Sequence, residues 1–479
     1  NSSNSRVTVL PSPVCSGAPI SYCTESGVTR VKTAVPEYPL KLFRRRPRTS
    51  TRDDRIMRIR FFHKPLARPE GEHLPRRALT FFTAALCLIS CFVTSSLPIP
   101  MMSVWAHDLA LTNADIAMTV VAYFGGCVAT LLFFARLSNF LGRKPVVLLS
   151  LIFGSIASFL FANAQAIGTI EIGRFLQGLS CGFASSASMS WVVDTAPPKR
   201  AWLGTALTSA GPNIGLSVGT LLAGVIIAEQ FVSNPHLFEA TIALLMTCAV
   251  LVLFCTETVR LGTEPLGQVL IPKLAIPHRL MRIFFISAAG FIGTWGMGSF
   301  FQGFAARVSS IVFGDSSAFL AATAYLCLIV PNAVCGLLAG RFRASFVAPF
   351  VISVFLISGL TVLAAIHFEL GWLFILSVAF CGAAGGSYCS AGLKLLLADA
   401  TLKERAGSIS ALYFSAYVGS GVPNFVVGML AARADMDTIS MGYAVWVAAT
   451  WVLVMGAILL VRRNPTPAEA LRFGPGAKV

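Results

Sequence analysis

Arg174 stands inside a long apolar stretch, with Gln177 three residues on, a spacing that puts both on one side of a helix. A cation inside a bilayer costs about 2.5–3.5 kcal/mol on insertion scales unless it is paired or hydrated. Arg174 therefore either snorkels to an interface, or pairs with nearby Glu171, or faces away from the lipid. Moving protons would need a titratable group that both solvents reach in turn. Asp115 and Glu239 are the nearest acids, but each sits where a helix opens, and there an acid complements the helix dipole. The six histidines, at 63, 73, 107, 236, 278 and 367, have no metal-ligand spacing. The twelve cysteines form no CxxC pair, and ten of them, Cys87 to Cys389, lie in apolar stretches where the thiol acts as a small hydrophobe. No phosphate-binding Gly-Lys-Ser/Thr loop is present, which argues against direct ATP use. No cofactor, metal or nucleic acid is expected, and no catalytic cluster is visible.

The elements that must hold these residues are long apolar runs. Of 479 residues, 12% are charged and 55% hydrophobic, about half the charge that a water-facing surface requires. From Leu79 onward, runs near 20 residues recur, the length that crosses a hydrocarbon core of about 30 Å. They predict helices near 79–102, 114–136, 145–163, 169–193, 202–229, 238–256, 283–305, 317–340, 347–366, 371–397, 407–431 and 439–461, twelve in all. Strict alternation is absent, so helices rather than a barrel satisfy the backbone in lipid.

Charge distribution orients the chain. Residues 1–77 carry 16 Lys/Arg and 6 Asp/Glu of the net +16 and read as a disordered basic tail, rich in Ser and Pro. No secretory signal is evident there, and since residue 1 is Asn, Met57 offers a later start. Beyond the tail, with both ends inside, the inner loops and C-terminal tail carry seventeen Lys/Arg and the outer loops only Arg307 and Arg433. Both termini are expected in the cytoplasm, in a bacterial inner membrane, and the chain is expected to be a monomer.

An internal repeat sets the organisation. Asp194-Thr195-Ala196-Pro197-Pro198-Lys199-Arg200-Ala201 matches Asp399-Ala400-Thr401-Leu402-Lys403-Glu404-Arg405-Ala406 at an offset of 205 residues, and the same offset carries Arg136 onto Arg341. The fold class expected is an all-α membrane protein with twelve transmembrane helices in two pseudo-symmetric six-helix bundles, 78–260 and 282–463. A polar linker, 261–281, joins them, and 464–479 is a cytoplasmic tail.

The loop Ala135-Arg136-Leu137-Ser138-Asn139-Phe140-Leu141-Gly142-Arg143-Lys144-Pro145 resembles the G-x-L-x-D-R-x-G-R-R/K signature of the major facilitator superfamily of secondary transporters, with Asn in place of the acid. Gly173-Arg174-Phe175-Leu176-Gln177-Gly178 is similar to that family's R-x-x-Q-G signature, and Asp194, Pro197 and Arg200 fit the acidic-Pro-Arg pattern after it. Thr256-Glu257-Thr258 resembles a P-E-T triplet. The resemblance covers about residues 78–463.

The resemblance implies alternating access around a central site between the halves. It implies a conformational latch built from Asn139, Gly142, Arg143, Lys144, Asp194, Arg200, Asp399 and Arg405, with Asp194 or its repeat partner Asp399 as acceptor, in place of a plain positive-inside anchor. It makes Arg174 a candidate for a cavity charge. Further substrate or coupling candidates are Gln177, Asn213, Trp295, Gln302, Tyr325, Asn332, Tyr388, Tyr413 and Tyr417, with core packing or an interface belt as the alternative for each aromatic. Helix 1 lacks the acid found in many proton-coupled relatives, so the coupling ion stays open. Gly211, Pro212, Gly215 and Gly219 resemble a glycine-rich signature of antiporter branches, or else form a smooth packing face. Proton-coupled efflux of an organic or drug-like compound is the reading favoured, with uptake or uniport of a sugar or organic acid as the alternative, and a channel or a membrane-embedded enzyme as readings of another class.

Overall fold

The computed structural model describes residues 76–465, except 135, 201, 230–233, 260–275, 316, 401 and 431–434. Most of the proposed linker, the tail before residue 76 and residues 466–479 lie outside the described residues. Within them run twelve long helices: α1 (Arg77–Asp108), α2 (Asn113–Phe134), α3 (Arg143–Ala162), α4 (167–195), α5 (Trp202–Ala228) and α6 (Asn234–Leu253), then α7 (Met281–Phe313), α8 (Ala318–Ala339), α9 (Ala344–His367), α10 (Gly371–Ala398), α11 (Leu402–Leu430) and α12 (Met436–Arg463). Ten of the described helices are long and apolar enough to cross a membrane. The other two, α4 and α11, are interrupted by charged, polar or proline residues, Glu171, Arg174 and the serines at 185–190 in one, Ser415, Ser420, Pro423 and Asn424 in the other.

The helix ends differ from the expected ones where local chemistry extends them. α1 continues to Asp108 past a break at Leu97, where Pro98 and Pro100 open a second segment and cannot complete the hydrogen-bond ladder of the first. α7 runs to Phe313 and stops at Gly314, whose left-handed φ of 68° suits a residue without a side chain. Asp115 caps α2: the Thr112 hydroxyl accepts from the Asp115 N–H at 3.2 Å and the Asp115 carboxylate accepts from the Thr112 N–H at 2.8 Å.

The two six-helix bundles repeat one another in their contacts. In the first, α1 packs on α5, α2 on α4, α3 on α4 and α6, and α1 on α6; in the second, α7 packs on α11, α8 on α10, α9 on α10 and α12, and α7 on α12. Each relation maps onto its counterpart by adding six to the helix number, which is what duplication of one plan produces. Across the bundles, α5 meets α8 and α2 meets α11, again exchanged by the same operation. Without water inside a bilayer to drive apolar surfaces together, such contacts depend on close van der Waals approach, which small residues permit. A Cβ on Gly178 would overlap the Tyr123 carbonyl of α2, and one on Gly386 would overlap the Asn332 carbonyl of α8. Gly215 and Gly219 bring α5 onto the backbone of α1 at Ile89 and Val93.

Candidate functional site

A cavity of about 700 Å³ lies between the bundles. From the first bundle it takes Tyr123 and Phe124 of α2, Ser185, Ser186 and Ser190 of α4, and Pro212 and Asn213 of α5; from the second, Trp295, Ser299 and Gln302 of α7, Tyr325 and Asn332 of α8, and Tyr413 and Tyr417 of α11. Pro212 interrupts the hydrogen-bond ladder of α5 beside the cavity. Single π-helical turns at Thr130–Phe134 in α2 and Ala184–Ser188 in α4 bulge at its wall, a distortion that recurs at functional sites.

One part of the wall is an aromatic cage. Trp295 meets Tyr417 edge-on at 5.1 Å between centroids and Tyr413 at 5.8 Å, and Tyr417 reaches across the bundles to Phe124 at 6.0 Å. These offset and edge arrangements are the favourable ones for rings. One end of the cavity reaches Asn139 and Arg143 on the loop between α2 and α3. The opposite end is closed by contacts between the bundles: Gly303 of α7 packs on Val120 of α2, and Gly224 of α5 on Ala322 of α8.

Seven of the ten sequence-derived candidates stand on this wall: Asn213, Trp295, Gln302, Tyr325, Asn332, Tyr413 and Tyr417. Arg174, Gln177 and Tyr388 do not. Pro98 lacks the N–H that would bond the Thr94 carbonyl four residues back, and Gln177 Nε2 supplies it at 2.6 Å. Arg174, fully buried, donates through Nη1 to the Ser95 carbonyl at 3.2 Å and to Gln177 Oε1 at 3.1 Å. It neither snorkels nor pairs with Glu171; it braces the α1 break, behind the Tyr123 ring. Tyr388, on α10, donates to the Ile286 carbonyl of α7 at 2.6 Å and packs over Gly290.

The loop end of the first bundle holds a charge network. Arg143 pairs with Asp194 at 3.1 Å and donates to Asn139 Oδ1 at 2.9 Å and Ser138 Oγ at 2.8 Å. Asn139 thus accepts as an acid would, without neutralising the charge. Arg143 takes Asp194 as its acid; at the repeat position the Asp399 carbonyl takes Arg279 at 2.6 Å, beside the Arg279–Glu404 ion pair. Arg200 is exposed, and the side chain of Arg405 lies outside those described. Sequence reasoning quoted Glu257 in its triplet without a role. Its carboxylate accepts from the N–H groups of Arg143, Lys144, Thr258 and Val259, all at 2.9–3.0 Å, where the positive end of the α3 dipole favours an anion. Gly142, at φ 99°, leaves it room, since a Cβ there would lie 2.6 Å from Glu257 Oε2. Lys144 Nζ bonds the Leu253 and Cys255 carbonyls at 3.1 and 3.0 Å, tying α3 to the end of α6. Tyr123 and Phe124 were also missed, as ordinary aromatics of an apolar run.

Residues 84–424 match the family model described as Major Facilitator Superfamily. Among curated proteins, the chain is 26% identical over 154 residues to the quinolone resistance protein NorA of Staphylococcus aureus, covering 32% of this chain and 39% of that one. It is 30% identical over 95 residues to the multidrug resistance protein MdtL of Klebsiella pneumoniae, covering 20% and 24%. The chain therefore spans less than half the length of these relatives. Among solved structures, a bacterial homolog of the human lysosomal transporter Spinster, in an inward-facing and unoccupied conformation, superposes with a TM-score of 0.62 at 15% identity, covering 81% of this chain and 96% of that one. The inward-facing and occupied form gives 0.61 at 16% identity, covering 85% and 100%.

Proposed function

The chain belongs to the major facilitator superfamily, and from that premise we propose that it is a secondary carrier exporting an organic or drug-like compound by alternating access. The observation that carries this reading is the cavity of about 700 Å³ shared by both bundles, reached from the loop end and sealed at the other. Basic inner loops support a cytoplasmic loop end; on that orientation the conformation is inward-open and the compound enters from that side. Asn213, Trp295, Gln302, Tyr325, Asn332, Tyr413 and Tyr417 bind it near mid-membrane. The network of Arg143, Asp194 and Glu257 holds the loop end of the first bundle rigid while the bundles rock. Relatives named for quinolone and multidrug resistance support export over the alternative, uptake of a sugar or organic acid.

Reconstitution into vesicles tests the reading. A carrier gives saturable counterflow of a labelled amphipathic dye; its absence with every dye offered, or non-saturable flux, rejects alternating access, and chemical conversion of the dye indicates an enzyme. A pH gradient across the same vesicles decides the coupling ion. A proton-coupled cycle draws on Asp115 or Glu239 and gains a driving force of about tenfold per pH unit of gradient, whereas export indifferent to it draws on the compound's own gradient and charge.

A further inference from the structure

The charges around the cavity are one-sided. Among its described lining residues no Asp or Glu occurs; the charged groups are Arg136 and Arg143, both at the loop end, and Arg143 is already held by Asp194. One layer behind the wall stands Arg174. It is 0% exposed, its Nε and Nη2 have no hydrogen-bond partner, and no carboxylate among the described residues pairs with it. Between it and the cavity lies the ring of Tyr123, a wall residue whose centroid is 5.9 Å from the guanidinium carbon.

A charged side chain taken out of water without a counter-charge is unfavourable by several kcal/mol. Bracing the α1 break accounts for Nη1 alone, and a neutral amide such as Gln177 does that work without a charge. The two idle N–H groups form the fork geometry that guanidinium offers to a carboxylate or a phosphate. The Tyr123 side chain, whose hydroxyl meets Ser95 Oγ at 3.4 Å, stands between that fork and the cavity, and a ligand reaches the fork only when it turns aside.

Resting on the carrier reading above, we propose that the compound carried is an amphipathic organic anion, its apolar body against Trp295, Tyr413 and Tyr417 and its negative group answered by Arg174. An organic cation of the same shape gains cation–π contact with the rings but no carboxylate to replace its lost hydration, and Arg174 behind the wall repels it.

Three probes sharing a naphthyl body test this: the carboxylate, its primary amide and its trimethylammonium analogue. Binding is read by quenching of tryptophan fluorescence in the purified full-length protein, and exchange by counterflow in vesicles. The carboxylate is expected to bind at least about tenfold more tightly than the amide, and the cation more weakly than either. In Arg174→Gln the carboxylate falls to the level of the amide while the amide's own affinity is kept, which also certifies the fold; Arg174→Lys retains part of the preference. Equal or tighter binding of the cation overturns the proposal. So does an undiminished preference for the carboxylate in Arg174→Gln, which would leave Arg174 as a brace only. If the fold of Arg174→Gln is lost, Tyr123→Ala replaces it: uncovering the guanidinium is expected to strengthen the carboxylate relative to the amide, and no change in their ratio overturns the proposal. Charge-selective quenching without counterflow of any probe would instead sink the carrier reading and leave the anion site standing.

Discussion

The first bundle and the second share their helix contacts but not their charges. At the loop end of the first, Glu257 clamps four backbone N–H groups and Arg143 gathers Asp194, Asn139 and Ser138. At the corresponding end of the second, Lys394 of α10 bonds the Gly340 and Phe342 carbonyls at 3.1 and 2.9 Å, and Arg279 pairs with Glu404 on a more exposed surface. The wall divides as well: the second bundle gives the Trp295 cage, the first gives the serines of α4 and the π-helical turns. Duplication preserves what backbone proximity demands, since a glycine facing a carbonyl tolerates no drift. Loop ends and cavity walls see water or ligand, and they diverge.

The steepest way to break this comparison is to fill the shared glycine contacts. Gly178→Leu and Gly386→Leu each push a side chain into a backbone carbonyl, and both are expected to lose about 3 kcal/mol, read as early thermal unfolding in detergent. Equal loss in the two bundles upholds their equivalence, while a silent change in one refutes it. The wall should respond unequally. Trp295→Ala removes the hub of the cage and is expected to weaken apparent substrate affinity about tenfold, against about threefold for Phe124→Ala across the cavity; a reversed order in binding titrations would move the site to the first bundle. Tyr388→Phe separates packing from binding. Leaving the Ile286 carbonyl unpaired should cost about 1–2 kcal/mol of stability with affinity unchanged.

Smaller differences sharpen the contrast at the loop ends. Glu257→Gln keeps the shape but removes the charge from the α3 N-terminus, an expected loss of about 1 kcal/mol in low salt, whereas Glu404→Gln, in a half-exposed pair, should cost less than about 0.5 kcal/mol. Asn139→Asp restores an acid beside Arg143 and should gain about 0.5 kcal/mol, fading in high salt as the pair is screened. A gain that persists at high salt would contradict a surface ion pair.

Much of the fold was legible because lipid imposes a length. Runs near 20 residues and the 205-residue offset gave twelve helices and their pairing, and what escaped them were ends set by particular residues: the prolines after Leu97, the Gly314 stop. The site was half legible. A tyrosine or amide in an apolar stretch must find a partner, which singles it out, but sequence does not say whether that partner is a ligand or a carbonyl. Tyr325 and Asn332 face the cavity, whereas Tyr388 and Gln177 look the same in sequence and serve backbone. Gln177 was assignable in principle, as Pro98 announces an orphaned carbonyl, yet only the packing of α4 on α1 shows which side chain meets it. The partner of Arg143 was narrowed to Asp194 or Asp399 by the repeat, and Glu257 was missed because its role is to backbone N–H groups that no motif displays.

The lack of carboxylates on the described wall bears on energy supply. On the proposed anion-export reading, a described wall without an acid offers no group there to be protonated on release, and an anion leaving the negatively polarised cell interior is pulled by the voltage itself. Each elementary charge crossing 100 mV releases about 2.3 kcal/mol, enough to hold roughly a fiftyfold concentration ratio. The membrane's electrical field would then be both the fuel and the direction-setter of export.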